Sequence, residues 1–103
     1  MIHTEQLAPG TIMFHVRGRF DQGTAKELGL LVFRSYRLGC MTFLFNLSQV
    51  TFLDQAGNHH LTMIRRGLRE KGKSYRVIGP PSSIGDQLII RTTLQHLPPE
   101  TWN

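Results

Sequence analysis

The chain has 103 residues, 40% of them hydrophobic and 18% charged, with a formal net charge of +5. That length suits a single domain, residues 1–103, built on one core, and the composition suits a folded chain rather than a disordered one. There is no apolar run of the roughly 18 residues a membrane span needs, no secretory leader in Met1-Ile2-His3-Thr4-Glu5, and only one cysteine, Cys40, which excludes an internal disulfide and a cysteine-cluster zinc site and favours a reducing, cytoplasmic setting.

Two short runs, Ile2 to Leu7 and Thr11 to Val16, flank the turn residues Ala8-Pro9-Gly10 and predict a hairpin. In the second run Ile12, Phe14 and Val16 alternate with Met13, His15 and Arg17, the period of a half-buried strand. His15 then faces away from the core as a surface or packing histidine. Gly18-Arg19-Phe20-Asp21-Gln22-Gly23-Thr24 closes that strand and opens a helix, with Asp21 or Thr24 as its cap. Ala25, Leu28, Val32 and Tyr36 form the helix's core stripe, with Leu31 beside them. Leu30 and Phe33 fall off the stripe and allow a contact surface, including a homodimer. Gly29 sits mid-helix, where close packing against a sheet would account for it. Leu38-Gly39 is a helix stop.

Met41 to Leu47 is nearly all apolar, as in a central strand covered on both faces. The polar stretch Asn46 to Gly57 then reads as a recognition loop leading to a second helix from about Ala56 to Lys71. That helix turns Leu61, Ile64 and Leu68 inward and His59, Met63, Arg66 and Glu70 outward. Met and Arg are enriched at protein interfaces, so the stripe His59, Met63 and Arg66 is a candidate partner surface. Adjacent His59 and His60 point about 100° apart on a helix and do not make a metal pair. The one dense basic group, Arg65, Arg66, Arg69, Lys71 and Lys73, comes without a helix-turn-helix or a base-stacking motif. An acidic protein partner or a solvated helix is therefore expected in preference to nucleic acid. Gly72 stops the helix, Tyr75 to Ile78 is a further strand, and Gly79-Pro80-Pro81-Ser82 resets the chain. A third helix follows from a cap at Ser82 or Ser83 to about Arg91, and Pro98-Pro99 closes the fold. No catalytic constellation, metal site or phosphate loop is assembled, so neither enzyme activity nor a cofactor is expected. The element order predicts an α/β fold: a mixed, mainly parallel sheet of four to five strands with helices packed mostly on one face.

Three stretches resemble the STAS domain family, whose best-known members are bacterial anti-sigma-factor antagonists. Gly18-Arg19-Phe20-Asp21 with Thr24-Ala25 is similar to the family's Gly-x-Leu-Asp and Thr-Ala. Asn46 to Asp54 is similar to its Leu-Ser-x-Val-x-Phe-hydrophobic-Asp. Gly57, the Leu61–Ile64–Leu68 helix, Gly72, a strand and Gly79-Pro80 follow in the family's order. The resemblance implies a small sheet with helices on one side and work as a protein-binding module, whose partner is an anti-sigma factor or a related serine kinase. In the antagonists a serine directly after the loop aspartate is phosphorylated by that partner, and phosphate breaks the complex. Here the family's Asp-Ser-Ser/Thr-Gly is replaced by Asp54-Gln55-Ala56-Gly57. Gln55 has no hydroxyl to phosphorylate and no charge to imitate a phosphate. Ser48 and Thr51 are the nearby hydroxyls for a relocated switch. A second departure, Thr93-Leu94 in place of Gly-Leu, concerns the C-terminal cap. By this resemblance the candidate partner-binding residues are Asp21, Asp54, Gln55, Ala56 and Gly57, joined by His59, Met63 and Arg66. The alternative is an accessory or scaffold subunit of a larger assembly, such as a signalling complex or a lipid-transport system.

Overall fold

The structure, a computed structural model, describes residues 1–80. The third helix expected near Ser82–Arg91, the Thr93-Leu94 departure and Pro98-Pro99 lie outside the described residues. In chain order the elements are β1 (Ile2–Ala8), β2 (Thr11–Phe20), α1 (Gln22–Arg37), β3 (Thr42–Leu53), α2 (Gln55–Glu70) and β4 (Ser74–Ile78). They form one sheet in the order β1-β2-β3-β4. β1 and β2 are the expected antiparallel hairpin, while β2–β3 and β3–β4 pair in parallel through the helical crossovers. Both crossovers step the same way along the sheet, and crossover handedness then puts both helices on one face, where α1 packs beside α2.

The alternation of side chains explains what each face holds. Phe14, Val16, Phe43, Phe45, Leu47 and Val77 turn to the helices and are buried with Ala25, Leu28, Val32, Leu61 and Leu68. Register aligns Phe14, Phe45 and Val77 in one row across three strands. The Phe14 and Phe45 rings stack at 5.6 Å. Leu31, Tyr36 and Ile64 pack at the margin of this core. The other face of the sheet carries no described helix, so β3 is not covered on both sides along the described chain.

Three expectations need correction. The stretch Asn46–Leu53 is strand, not loop: it pairs with β2 from His15 to Phe20, leaving Asp54 alone between strand and helix. Its polar residues occupy the face that carries no described helix or the exposed margin, which is how a polar stretch remains a strand. β2 likewise runs four residues past Val16, to Phe20. Its register with β3 shifts on either side of Gly18, with the extra residue on β3 each time, and the Gly18 φ of +81° favours glycine. Gly29 is not pressed against the sheet. A Cβ there would meet only Ile64 Cδ1 of α2, at an ordinary 3.9 Å.

Candidate functional site

Parallel pairing of Phe20 with Leu53 places the ends of β2 and β3 side by side. One aspartate follows each strand and begins each helix. Asp21 caps α1 by accepting from the Thr24 N–H at 3.0 Å, and Asp54 caps α2 by accepting from the Gly57 N–H at 2.7 Å. Both have extended backbones, φ −101° and −98°. The two junctions repeat the same local order, Asp-Gln-small-small, in Asp21-Gln22-Gly23-Thr24 and Asp54-Gln55-Ala56-Gly57. The result is a pair of helix N-termini, each with its orphan N–H groups partly satisfied by a carboxylate.

Gly57 joins the two junctions. It is buried, and a Cβ added to it would overlap the Phe20 carbonyl oxygen and lie 2.8 Å from Phe20 Cδ1. Its place in the site is therefore the frame and not the surface. Gln55 and Ala56, by contrast, are exposed on the first turn of α2. His59, Met63 and Arg66 are exposed further along the same helix. His59 and His60 stand edge to face, 6.0 Å between centroids. Among the described residues no group of three or more His, Cys, Asp or Glu is placed to hold a metal.

Two residues beside the caps were not singled out from the sequence. Arg19 and Phe52 are opposed across β2 and β3, and the Arg19 guanidinium lies 4.0 Å from the Phe52 ring centroid. Arg19 Nε also approaches Asp21 Oδ2 at 4.0 Å, and Thr24 Oγ1 donates to the Arg19 carbonyl. An exposed arginine on an exposed aromatic is an interface composition. The available signal was the residue types themselves, but their pairing depends on a register the sequence does not print.

The Thr24 N–H holds the Asp21 carboxyl below its ordinary pKa of 3.8, an effect that slight desolvation opposes and Arg19 assists. A depressed folded pKa stabilises the fold above the unfolded pKa and is lost as pH falls through the folded one. Wild type should therefore lose thermal stability faster than Asp21→Asn between about pH 5 and pH 2. Parallel melting curves for the two proteins across that window would refute the assignment.

The sheet face that carries no described helix holds a chain of hydrogen bonds. Asn46 Oδ1 accepts from the Ser48 N–H at 3.1 Å and from Ser48 Oγ at 2.7 Å. Because a backbone N–H must donate, the Asn46 amide nitrogen is the atom facing His15 Nδ1, at 3.1 Å. His15 Nδ1 must then accept, and Nε2–H donates to Glu5 at 2.8 Å. His15 is thus a packing histidine at the rim of a hollow of about 240 Å³ that His3, Arg17 and Gln49 also line. The Ser48 hydroxyl is engaged as a donor to Asn46, and Thr51 is exposed.

α2 buries two polar residues, Asn58 and Arg65, beyond the inward set Leu61, Ile64 and Leu68 expected from the sequence. Arg65 is only 2% exposed, and burial lowers its guanidinium pKa from the ordinary value. It shares the inward face with Leu61 and Leu68, and Nη2 reaches Thr62 Oγ1 at 3.5 Å.

The fold is shared by several solved structures. The anti-sigma factor antagonist SpoIIAA in its unphosphorylated form superposes with a TM-score of 0.72 at 13% identity, over 89% of this chain and 84% of that one. The Bacillus SpoIIAA in its phosphorylated form gives 0.73 at 13%, over 94% and 85%. A sulfate transporter family protein from Wolinella succinogenes gives 0.75 at 17%, over 95% and 80%. No curated protein matches by sequence. The model of the STAS domain matches residues 4–98, and with the four-stranded mixed sheet and its two described helices in place, the chain belongs to the STAS domain family.

Proposed function

We propose that this chain is a non-enzymatic STAS module of the cytoplasm. It binds a regulatory protein of the anti-sigma-factor or serine-kinase type and is free of phosphate control at position 55. The observation that carries the reading is the geometry of Asp54–Gly57. The cap and the buried glycine keep the frame, while Gln55 and Ala56 present an amide and a methyl where the family has hydroxyls. An amide can donate and accept in a fixed interface hydrogen bond but cannot take a phosphoryl group. Asp21, the Arg19–Phe52 pair and the His59–Met63–Arg66 face border this surface and complete the docking region. Its recognition is by shape and polar contacts, with no covalent step.

The experiment is phosphorylation by a serine kinase of the anti-sigma type with ATP. Wild type should remain unlabelled and Gln55→Ser should take up phosphate at that serine. Labelling of wild type at Ser48 or Thr51 would show a relocated switch and end the unswitched reading. Affinity purification from the native cell supplies the partner test: an anti-sigma factor recovered with wild type should be lost with Asp54→Ala. A second reading, an accessory subunit of a transport or signalling assembly, is favoured by the likeness to a sulfate transporter family protein. Recovery of transporter components in place of a sigma regulator would select it.

A further inference from the structure

The face of the helix layer turned away from the sheet has a groove between α1 and α2, further along α2 than the Asp54 junction and sharing only Met63 with the docking region proposed above. It encloses about 240 Å³, and its lining is almost wholly apolar, with Gly29, Phe33 and Tyr36 on one side and Met63, Gly67 and Lys71 on the other. Phe33 is 57% exposed and Met63 53%. Large apolar side chains left this open along one seam mark a contact surface more often than a solvated one.

The glycines are the more telling feature. Both lie inside helices, where glycine is the poorest residue after proline. Neither has a positive φ. A Cβ at Gly67 would meet nothing within 4 Å, and one at Gly29 only Ile64 Cδ1 at 3.9 Å. No packing in the described chain requires either glycine, and both line the same slot. Their effect is to bare helix backbone and leave room for a side chain from outside.

Charge selects the occupant. Both helices follow parallel strands, so their C-terminal ends lie at the same end of the groove. Arg34, Arg37, Arg69, Lys71 and Lys73 gather there against Glu70. The Arg37 guanidinium is 5.9 Å from the Phe33 ring centroid, and Lys73 Nζ is 5.2 Å from that of Tyr36. Basic residues at helix C-termini also complement the helix dipoles, but that role does not call for an apolar slot beside them. A second copy of this chain, with a net charge of +5, would bring cations to cations. We propose that the groove receives a short amphipathic helix of a protein partner. Its apolar side chains, spaced i, i+3/i+4 and i+7, fill the Gly29–Gly67 slot, and acidic residues at one end meet the cluster around Arg37 and Lys71.

The test uses the full chain and two synthetic helical peptides with the same Leu/Phe face, one flanked by Glu and one by Lys. The Glu peptide should shift the amide resonances of Gly29, Phe33, Gly67 and Lys71. It should bind at least about tenfold more tightly than the Lys peptide, and weaken as salt rises. Gly67→Leu should reduce binding at least about tenfold without lowering Tm, since the added side chain enters open space, whereas Asp54→Ala should leave peptide binding unchanged. Equal binding of both peptides, no binding, or shifts confined elsewhere would overturn the proposal. Loss of Tm in Gly67→Leu would identify residues 81–103 of the chain itself as the occupant. Concentration-dependent self-association abolished by the same change would identify a second copy. Either result overturns the partner helix.

Discussion

Gly57→Ala is expected to lower Tm by more than about 8 °C, with a loss of roughly 2–3 kcal/mol. On an exposed helix the same change would stabilise by up to about 1 kcal/mol, because alanine is the better helix former. Position 57 reverses the sign. The added Cβ would overlap the carbonyl oxygen of Phe20 and lie 3.1 Å from its carbonyl carbon. Backbone cannot rotate aside as a side chain can, so α2 must move away from the β2–α1 junction. That movement also lengthens the Gly57 N–H to Asp54 bond, now 2.7 Å, and removes a cap of about 1 kcal/mol. Two controls isolate the cause. Gly67→Ala, in open space, should raise Tm. Adding Phe20→Leu to Gly57→Ala should give no rescue, because the ring is a lesser part of the collision than the carbonyl. Thermal and chemical denaturation monitored by circular dichroism measure all three. A Gly57→Ala protein as stable as wild type would mean that the two junctions do not pack as described. Such a result would also remove the physical basis for treating Asp21 and Asp54 as one surface.

Much of this arrangement is legible in the residues, and the parts that are not share a cause. The alternation from Ile12 to Arg17 and the stripe Ala25, Leu28, Val32 carry their own periodicity, so β2 and α1 can be read locally. Asp54 before Gln55-Ala56-Gly57 is a helix start on cap chemistry alone. Asn46 to Leu53 is different: its polar residues are strand only because β2 pairs beside it and one face of the sheet carries no described helix, and neither fact is local. Arg65 was concealed in another way. It follows Leu61 by four residues and precedes Leu68 by three, the spacing of one helix face. Its charge argues against burial, although the geometry puts it there. The union of the Asp21 and Asp54 junctions rests on the Phe20–Leu53 pairing, a contact across 33 residues that no window of sequence contains. Gly57 could be read as a family position but not as the residue on which the two junctions touch. The two helix glycines facing one groove were equally invisible, since each alone looks like a tolerated weakness.

Phe45→Ala should be the most destabilising single change in the described core, at about 3–5 kcal/mol. β3 is an inner strand, and Phe45 lies in the part of it paired on both sides, with no exposed surface. It is flanked in register by Phe14 on β2 and Val77 on β4, so the cavity opens in the row that ties three strands to the helix layer. The stacked ring of Phe14 loses its partner as well, which adds to the burial term. Against a total of about 5–15 kcal/mol for a domain, that loss removes about a fifth of the stability or more. Phe45→Leu retains most of the volume and should cost much less, so the ratio of the two separates cavity formation from loss of the aromatic contact. A value below about 1 kcal/mol for Phe45→Ala, from urea unfolding, would contradict the packing of the row. The pair also calibrates every binding measurement on this chain. Phe45 touches neither the Asp54 surface nor the α1–α2 groove, but both depend on the layer it anchors. A partner that dissociates from Phe45→Ala and remains on Phe45→Leu reads the fold, whereas one that dissociates from Asp54→Ala at unchanged Tm reads the loop.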